Sequence, residues 1–238
     1  MFKKIILNQH FCPKWYSIAI NPLYIIRDGL FKSISNLSSY INGNTLDFGC
    51  GNKPYEFIFT NVTNYIGLDI ERDNYIKEGF ADFLYDGTRI PFPDNYFDSV
   101  VAFEVLEHVF NIEIILPEIR RVLKPEGKFL ITIPFAWCEH ETPNDFARYT
   151  SFGIVSILNR YGFEVSHHVK TNSDILTIFQ LLIVYLIGSV LPEGRILGKF
   201  LQLVVIFPIT LIGLISNLLL PKKGDLYCNN VVLSKNCK

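Results

Sequence analysis

The hydrophobic pattern changes character twice along the chain. Residues 14–41 place Trp15, Ile18, Leu23, Ile26, Leu30 and Ile34 at helical spacing, broken at Asn21-Pro22, and so predict an amphipathic helical segment. From residue 44 the apolar runs shorten to strand length. Thr45, Leu46 and Phe48 predict a buried strand, residues 64–69 a second and residues 79–85 a third. Phe97 to Phe103 becomes a continuous apolar run, which predicts a strand buried on both faces. Helical spacing returns over 110–123, with Ile114, Leu116, Ile119, Val122 and Leu123 facing inward and Lys124-Pro125-Glu126-Gly127 as the stop. Phe129 to Ile133 predicts a fifth strand, 151–161 a helix and Phe163 to Val169 a sixth strand. Only a short helix fits in 54–60, and the charged stretch 71–78 leaves a small second crossover. Strands and helices alternating in this way imply an α/β fold, a doubly wound, mainly parallel sheet.

A second composition begins at Ser173. Between Ile175 and Leu220 the only charged residues are Glu193, Arg195 and Lys199. Two apolar runs, Ile175–Leu191 and Phe200–Leu220, are separated by Pro192-Glu193-Gly194-Arg195, a turn signal. Pro208 is expected to kink the second run. Lys222-Lys223 and Asp225 end the apolar stretch, and Tyr227 to Ser234 returns as a strand. The expected division is a helical cap over residues 1–43, a core over 44–172, an apolar helical hairpin over 173–222 and a final core strand over 223–238. Each apolar run is marginal against the roughly 20 residues a spanning helix needs. A spanning hairpin would also carry the charged turn across the bilayer, so a hairpin lying in the interface is favoured over a spanning one. Burial in a homodimer is the third outcome.

Composition agrees with this. Charged residues make up only 19% and the mean hydropathy is +0.25, high for a chain with no membrane contact. Acidic and basic residues balance at 23 and 22, which argues against a nucleic-acid partner. Five cysteines without C-x-x-C pairing suit reduced thiols in a cytoplasmic compartment. Asn8-Gln9-His10 ends the apolar N-terminal run too early for a signal peptide.

The chain is organised around Thr45 to Tyr55, where a strand runs into the glycine turn Gly49-Cys50-Gly51, with Pro54 suited to the start of a helix. Such a corner can cradle a nucleotide. Asp47-Phe48-Gly49-Cys50-Gly51 resembles the first motif of class I S-adenosylmethionine-dependent methyltransferases, in its D-x-G-C-G form. Tyr65 to Ile70 is similar to the second strand of that fold, and Asp86 to Asp98 to its D-x(4)-P-F-x-D-x-x-F-D stretch. Glu104 to Val109 and Arg121 to Gly127 complete the pattern over residues 44–170. The resemblance implies a Rossmann-like sheet of seven strands with the apolar hairpin inserted before the last. It implies S-adenosyl-L-methionine as cofactor. Gly49 and Gly51 would pass backbone against it, Asp47 would orient the loop or meet the methionine ammonium, and Asp69, followed by Ile70, would accept from the ribose hydroxyls. Asp86, followed by Gly87, would meet the adenine amino group, and Glu104 would end the fourth strand at the ligand edge.

The absence of a third glycine disfavours a nicotinamide oxidoreductase. Methyl transfer demands no metal, and no metal-ligand spacing is expected. His108, four residues after Glu104, is a candidate base or acceptor-orienting group. A second constellation, His140-Glu141-Thr142-Pro143-Asn144-Asp145-Phe146-Ala147-Arg148-Tyr149-Thr150, is similar to a loop found in a subgroup associated with glycan and cell-envelope pathways. His140, Glu141 and Tyr149 are expected to face the acceptor, with Arg148 bracing Asp145. The expected function is methyl transfer to a small-molecule or lipid- or glycan-linked acceptor at the inner face of the membrane. The alternative is a membrane-tethered binding module without catalysis.

Overall fold

A computed structural model describes residues 9–71, 81–192 and 200–238. The readings made on residues 1–8, on the 72–78 part of the crossover, on 79–80 of the third strand and on Glu193, Gly194, Arg195 and Lys199 lie outside them. Seven strands form one sheet: β1 Gly43–Phe48, β2 Val62–Ile70, β3 Phe83–Tyr85, β4 Phe97–Phe103, β5 Leu123–Pro134, β6 Phe163–Lys170 and β7 Asn229–Asn236. Their order is β3-β2-β1-β4-β5-β7-β6. The pairs β1/β2, β1/β4, β2/β3 and β4/β5 are parallel. β7 runs antiparallel to β6: Cys237 N–H bonds Gly162 at one end, and Thr171 N–H bonds Asn229 at the other. The parallel strands therefore finish at one edge, where ligands sit in open α/β sheets.

The chain divides into two compact units. The sheet unit comprises residues 34–135, 139–169 and 230–238. Its core joins Leu46 and Phe48 of β1, Val100 and Ala102 of β4, Phe129 and Ile131 of β5, and the inward face of a helix, Ile112–Val122. On that helix Ile115, Ile119 and Val122 are buried, and Ile114, expected inside, is 43% exposed. Ile115 holds the i, i+4, i+7 stripe, and its neighbour is rotated about a quarter turn away. The Lys124–Gly127 stop proves to be part of β5, taken up as a shift of register against β4 between Phe97 and Ser99. Buried Asn236 on β7 closes the helix end by donating to the carbonyls of Arg120, Leu123 and Lys124 at 3.0–3.3 Å.

The other unit comprises residues 1–33, 136–138 and 170–229. The N-terminal segment and the apolar runs thus cluster together, a different cut from the expected separate cap and hairpin. Ile26 and Leu30 are buried, but Trp15 is 82% exposed. It lies in a separate 3-10 turn, Trp15–Ala19, so the break at Asn21-Pro22 resets the inward face. The first apolar run is a helix, Ile175–Tyr185, continued by a π-turn, Leu186–Val190. The second is a π-turn, Gln202–Ile206, leading into a helix, Phe207–Leu219, with Pro208 in its first turn. The Pro208 expectation thus becomes a change of helix type, since its missing N–H costs least there. Gly213 faces Phe179, where a Cβ would lie 2.8 Å from a ring carbon, so the two helices approach closely only because this residue is glycine. Gln180, polar within an apolar run, is fully buried. It accepts from Ile26 N–H and donates to the Pro22 carbonyl, each at 3.1 Å. No helix among the described residues is long and apolar enough to cross a membrane.

Candidate active site

The glycine turn follows β1 directly. Gly49 has φ +70°, and a Cβ there would lie 2.5 Å from both methyl carbons of Val105, so only glycine fits. Its N–H and that of Cys50 donate to the Leu68 carbonyl of β2. Gly51, φ +48°, has nothing within 4 Å on its Cβ side, leaving bare backbone beside open space. Its N–H donates at 2.9 Å to Oδ2 of Asp69, whose Oδ1 accepts from Ile70 N–H at 2.8 Å. The turn and the acid at the end of β2 are one assembly. Each oxygen keeps accepting capacity after these bonds.

Asp47 is buried, and its Oδ2 accepts from the Tyr65 hydroxyl at 2.8 Å. Burial pushes its carboxyl up to about 7, against the opposing effects of the Tyr65 bond and the Lys53 charge. A folded value above the unfolded one, near 4, means that the folded protein resists losing this proton. Stability from this residue is therefore full below about pH 4, declines as pH rises and is lost by about pH 7. Denaturant melts of the cofactor-free protein across this window should show the decline, on the order of a few kcal/mol, and Asp47→Asn should flatten it. An identical slope in the variant would assign the dependence elsewhere.

Asp86 follows β3. Its Oδ1 accepts from Thr88 N–H, Thr88 Oγ1 and Arg89 N–H, and these bonds hold its carboxyl below the usual range. This Asx turn uses one oxygen only. Gly87, φ +87°, lies against Ile70, whose side chain packs on the main core. Arg121 fixes the segment after it, donating to the carbonyls of Ile90 and Phe92 and pairing with Asp94 and Glu118. Asp47, Asp69 and Asp86 thus stand at the ends of three neighbouring strands around an open glycine backbone. The cofactor of the expected class carries sulfonium and ammonium charges, two ribose hydroxyls and an adenine amino group, and this donor set fits it.

Glu104 ends β4 in a left-handed turn, φ +56°, with its N–H on the carbonyl and Oγ1 of Thr132. A 3-10 turn, Leu106–His108, follows. It buries Glu107, to which the sequence reading assigned no role, although it adjoins His108. Burial and the Glu104 charge raise the Glu107 carboxyl well above its usual value. His108 and His140 meet edge to face, ring centroids 4.7 Å apart. The loop containing His140 is tied down by Phe146 N–H donating to the Glu107 carbonyl at 2.8 Å. Arg148 grips Asp145 with both Nη atoms, 2.6 Å to each oxygen, and holds that carboxyl well below the usual range. Asp145 in turn accepts from His140 N–H at 3.0 Å. Tyr149 is half-buried against the core. Glu141 is exposed in a turn, φ +50°.

A seven-stranded sheet in this order, with acids ringing a glycine turn at its carboxyl edge, has the architecture of class I methyltransferases. Residues 46–131 match the family model described as a methyltransferase domain. The ubiquinone/menaquinone biosynthesis C-methyltransferase of Paraburkholderia xenovorans is 42% identical over 66 residues, 27% of either chain. The sterol 24-C-methyltransferase of Gibberella zeae is 38% identical over 97 residues, 35% of this chain and 26% of that one. The chain therefore spans about a quarter of the length of these relatives. Phosphoethanolamine N-methyltransferase 2 of Haemonchus contortus, solved with S-adenosyl-L-methionine, shares the fold with TM-score 0.55 and 16% identity, covering 100% of this chain and 60% of that one. The likeness to a methyltransferase domain thus lies over residues 46–131, which hold the glycine turn and its three acids, and S-adenosylmethionine is the donor of that class.

Proposed function

We propose that the chain transfers a methyl group to a hydroxyl of a small-molecule or lipid- or glycan-linked acceptor, working from the cytoplasmic side at the inner face of the membrane. The observation that carries the transferase reading is the Gly51–Asp69 bond, which joins the glycine turn to the acid at the end of β2. S-adenosylmethionine supplies an activated methyl group on a sulfonium. The protein aligns the acceptor and excludes water. Asp69 would hold the ribose hydroxyls, Asp86 the adenine amino group and Asp47 the ammonium. His108 and His140 would orient the acceptor, with Tyr149 and Glu141 lining the approach and Asp145 and Arg148 holding His140 in place.

The membrane reading rests on the outer faces of the two apolar helices. Ile178, Leu182, Ile212, Ile215, Leu218 and Leu219 are each at least 41% exposed, and Lys222 and Lys223 follow beside them. An uncovered apolar face of this kind marks an interaction site, and nearby lysines suit anionic headgroups. The relatives named for quinone biosynthesis and for a sterol agree with an apolar acceptor. The test incubates full-length protein, labelled S-adenosylmethionine and anionic vesicles made from a lipid extract. Sedimentation with the vesicles and label entering the lipid fraction are expected. Leu218→Glu with Leu219→Glu should weaken sedimentation tenfold or more, because burial of each leucine contributes about 1.5–3 kcal/mol. Protein that stays monomeric in the supernatant refutes the membrane site. Cofactor binding without transfer to any acceptor would identify the binding module instead.

A further inference from the structure

Glu107, His108 and His140 bring one carboxylate and two imidazoles together outside the donor-binding acids. Their ligand atoms lie within 4.8 Å of one another. The Glu107 side chain is fully buried, and neither carboxylate oxygen has a hydrogen-bond partner in another described residue. A carboxylate left in that state is costly unless something compensates it. The Nε2 atoms of His108 and His140 lie 3.8 and 3.9 Å from the same Glu107 oxygen, too far for hydrogen bonds.

The outward ring atoms explain why. His108 Nδ1 lies 2.7 Å from the Asn144 carbonyl, which can only accept, so Nδ1 carries the proton. His140 Nδ1 lies 3.1 Å from Asp145 Oδ2, also an acceptor, with Arg148 Nη2 at the longer distance of 3.5 Å. In neutral His108 the Nε2 lone pair therefore points inward to Glu107, while His140 Nδ1 sits between the Asp145 acceptor and the Arg148 donor. Ligating histidines are held as His108 is, their second nitrogen donating to a carbonyl or carboxylate.

We propose that Glu107, His108 and His140 bind one divalent transition-metal ion. Two imidazoles and a carboxylate suit zinc, manganese, cobalt or iron better than calcium or magnesium. Three protein ligands leave open positions for an oxygen of the acceptor, a clause that rests on the transferase reading, whereas the ion site does not. The sequence concealed the site because Glu107-His108 and His140 stand more than thirty residues apart, outside any metal-ligand spacing.

The test strips the purified full chain with a chelator and titrates it with Co²⁺, following the visible absorption of the bound ion, then with Zn²⁺ in competition. One ion per chain is expected. His108→Ala, His140→Ala and Glu107→Gln should each weaken binding a hundredfold or more, and Asp145→Asn about 10–100-fold as an outer partner. Asp69→Ala should bind Co²⁺ as the wild type does. Circular dichroism and thermal melts identify variants that remain folded. No saturable Co²⁺ binding by the folded wild type, or unchanged affinity in both folded histidine variants, overturns the site. An ion bound without methyl transfer to any acceptor upholds it and overturns the transferase reading.

Discussion

Asp69→Ala is expected to raise the dissociation constant for S-adenosylmethionine by at least about a hundredfold. The resemblance places both ribose hydroxyls on this carboxylate, and a hydrogen bond to a charged group contributes about 1.5–3 kcal/mol. Two such bonds give roughly 3–6 kcal/mol, or two to four powers of ten in affinity. The structure adds a second reason: Asp69 also accepts from Gly51 N–H, so the substitution releases the turn that would face the donor. Asp69→Asn keeps one accepting oxygen and should fall between the two. Isothermal calorimetry on folded protein measures all three, and an unchanged constant for Asp69→Ala would remove the acid from the donor site.

Arg148→Ala should cost about 3–5 kcal/mol of stability, because it leaves one member of a buried pair without the other. The Asp145 side chain is only 3% exposed, and Arg148 supplies its two shortest bonds. In a chain of this length each kcal/mol shifts the melting temperature by roughly 2–4 °C, so a fall of about 10 °C is expected. Arg148→Lys keeps the charge and loses the fork, and should recover only part of the loss. A melting temperature within a degree or two of wild type would show that Asp145 finds compensation elsewhere. Calorimetric melts of the three proteins decide the point.

Much of the sheet was readable because its strands are buried on both faces and so appear as unbroken apolar runs. The glycine turn was readable as well, since positive φ and close approach leave few other residue types available. Readings that needed a helix phase or a partner were less secure. Ile114 and Trp15 were placed inside by spacing, and the fold turns both outward. Gln180 looked like a flaw in an apolar run, and its two buried bonds lie far away in sequence.

The sequence by itself determined the alternation of strands and helices, the apolar character of 175–220 and the order of acids along the motif series. These are local properties, set by side-chain type and period. Only the tertiary structure decided that Gly51 and Asp69 are bonded, that Tyr65 reaches Asp47, and that Glu107 lies buried between two histidines. Such contacts join residues from separate strands and loops. Their chemistry depends on distance, burial and the direction of lone pairs, none of which a linear spacing records.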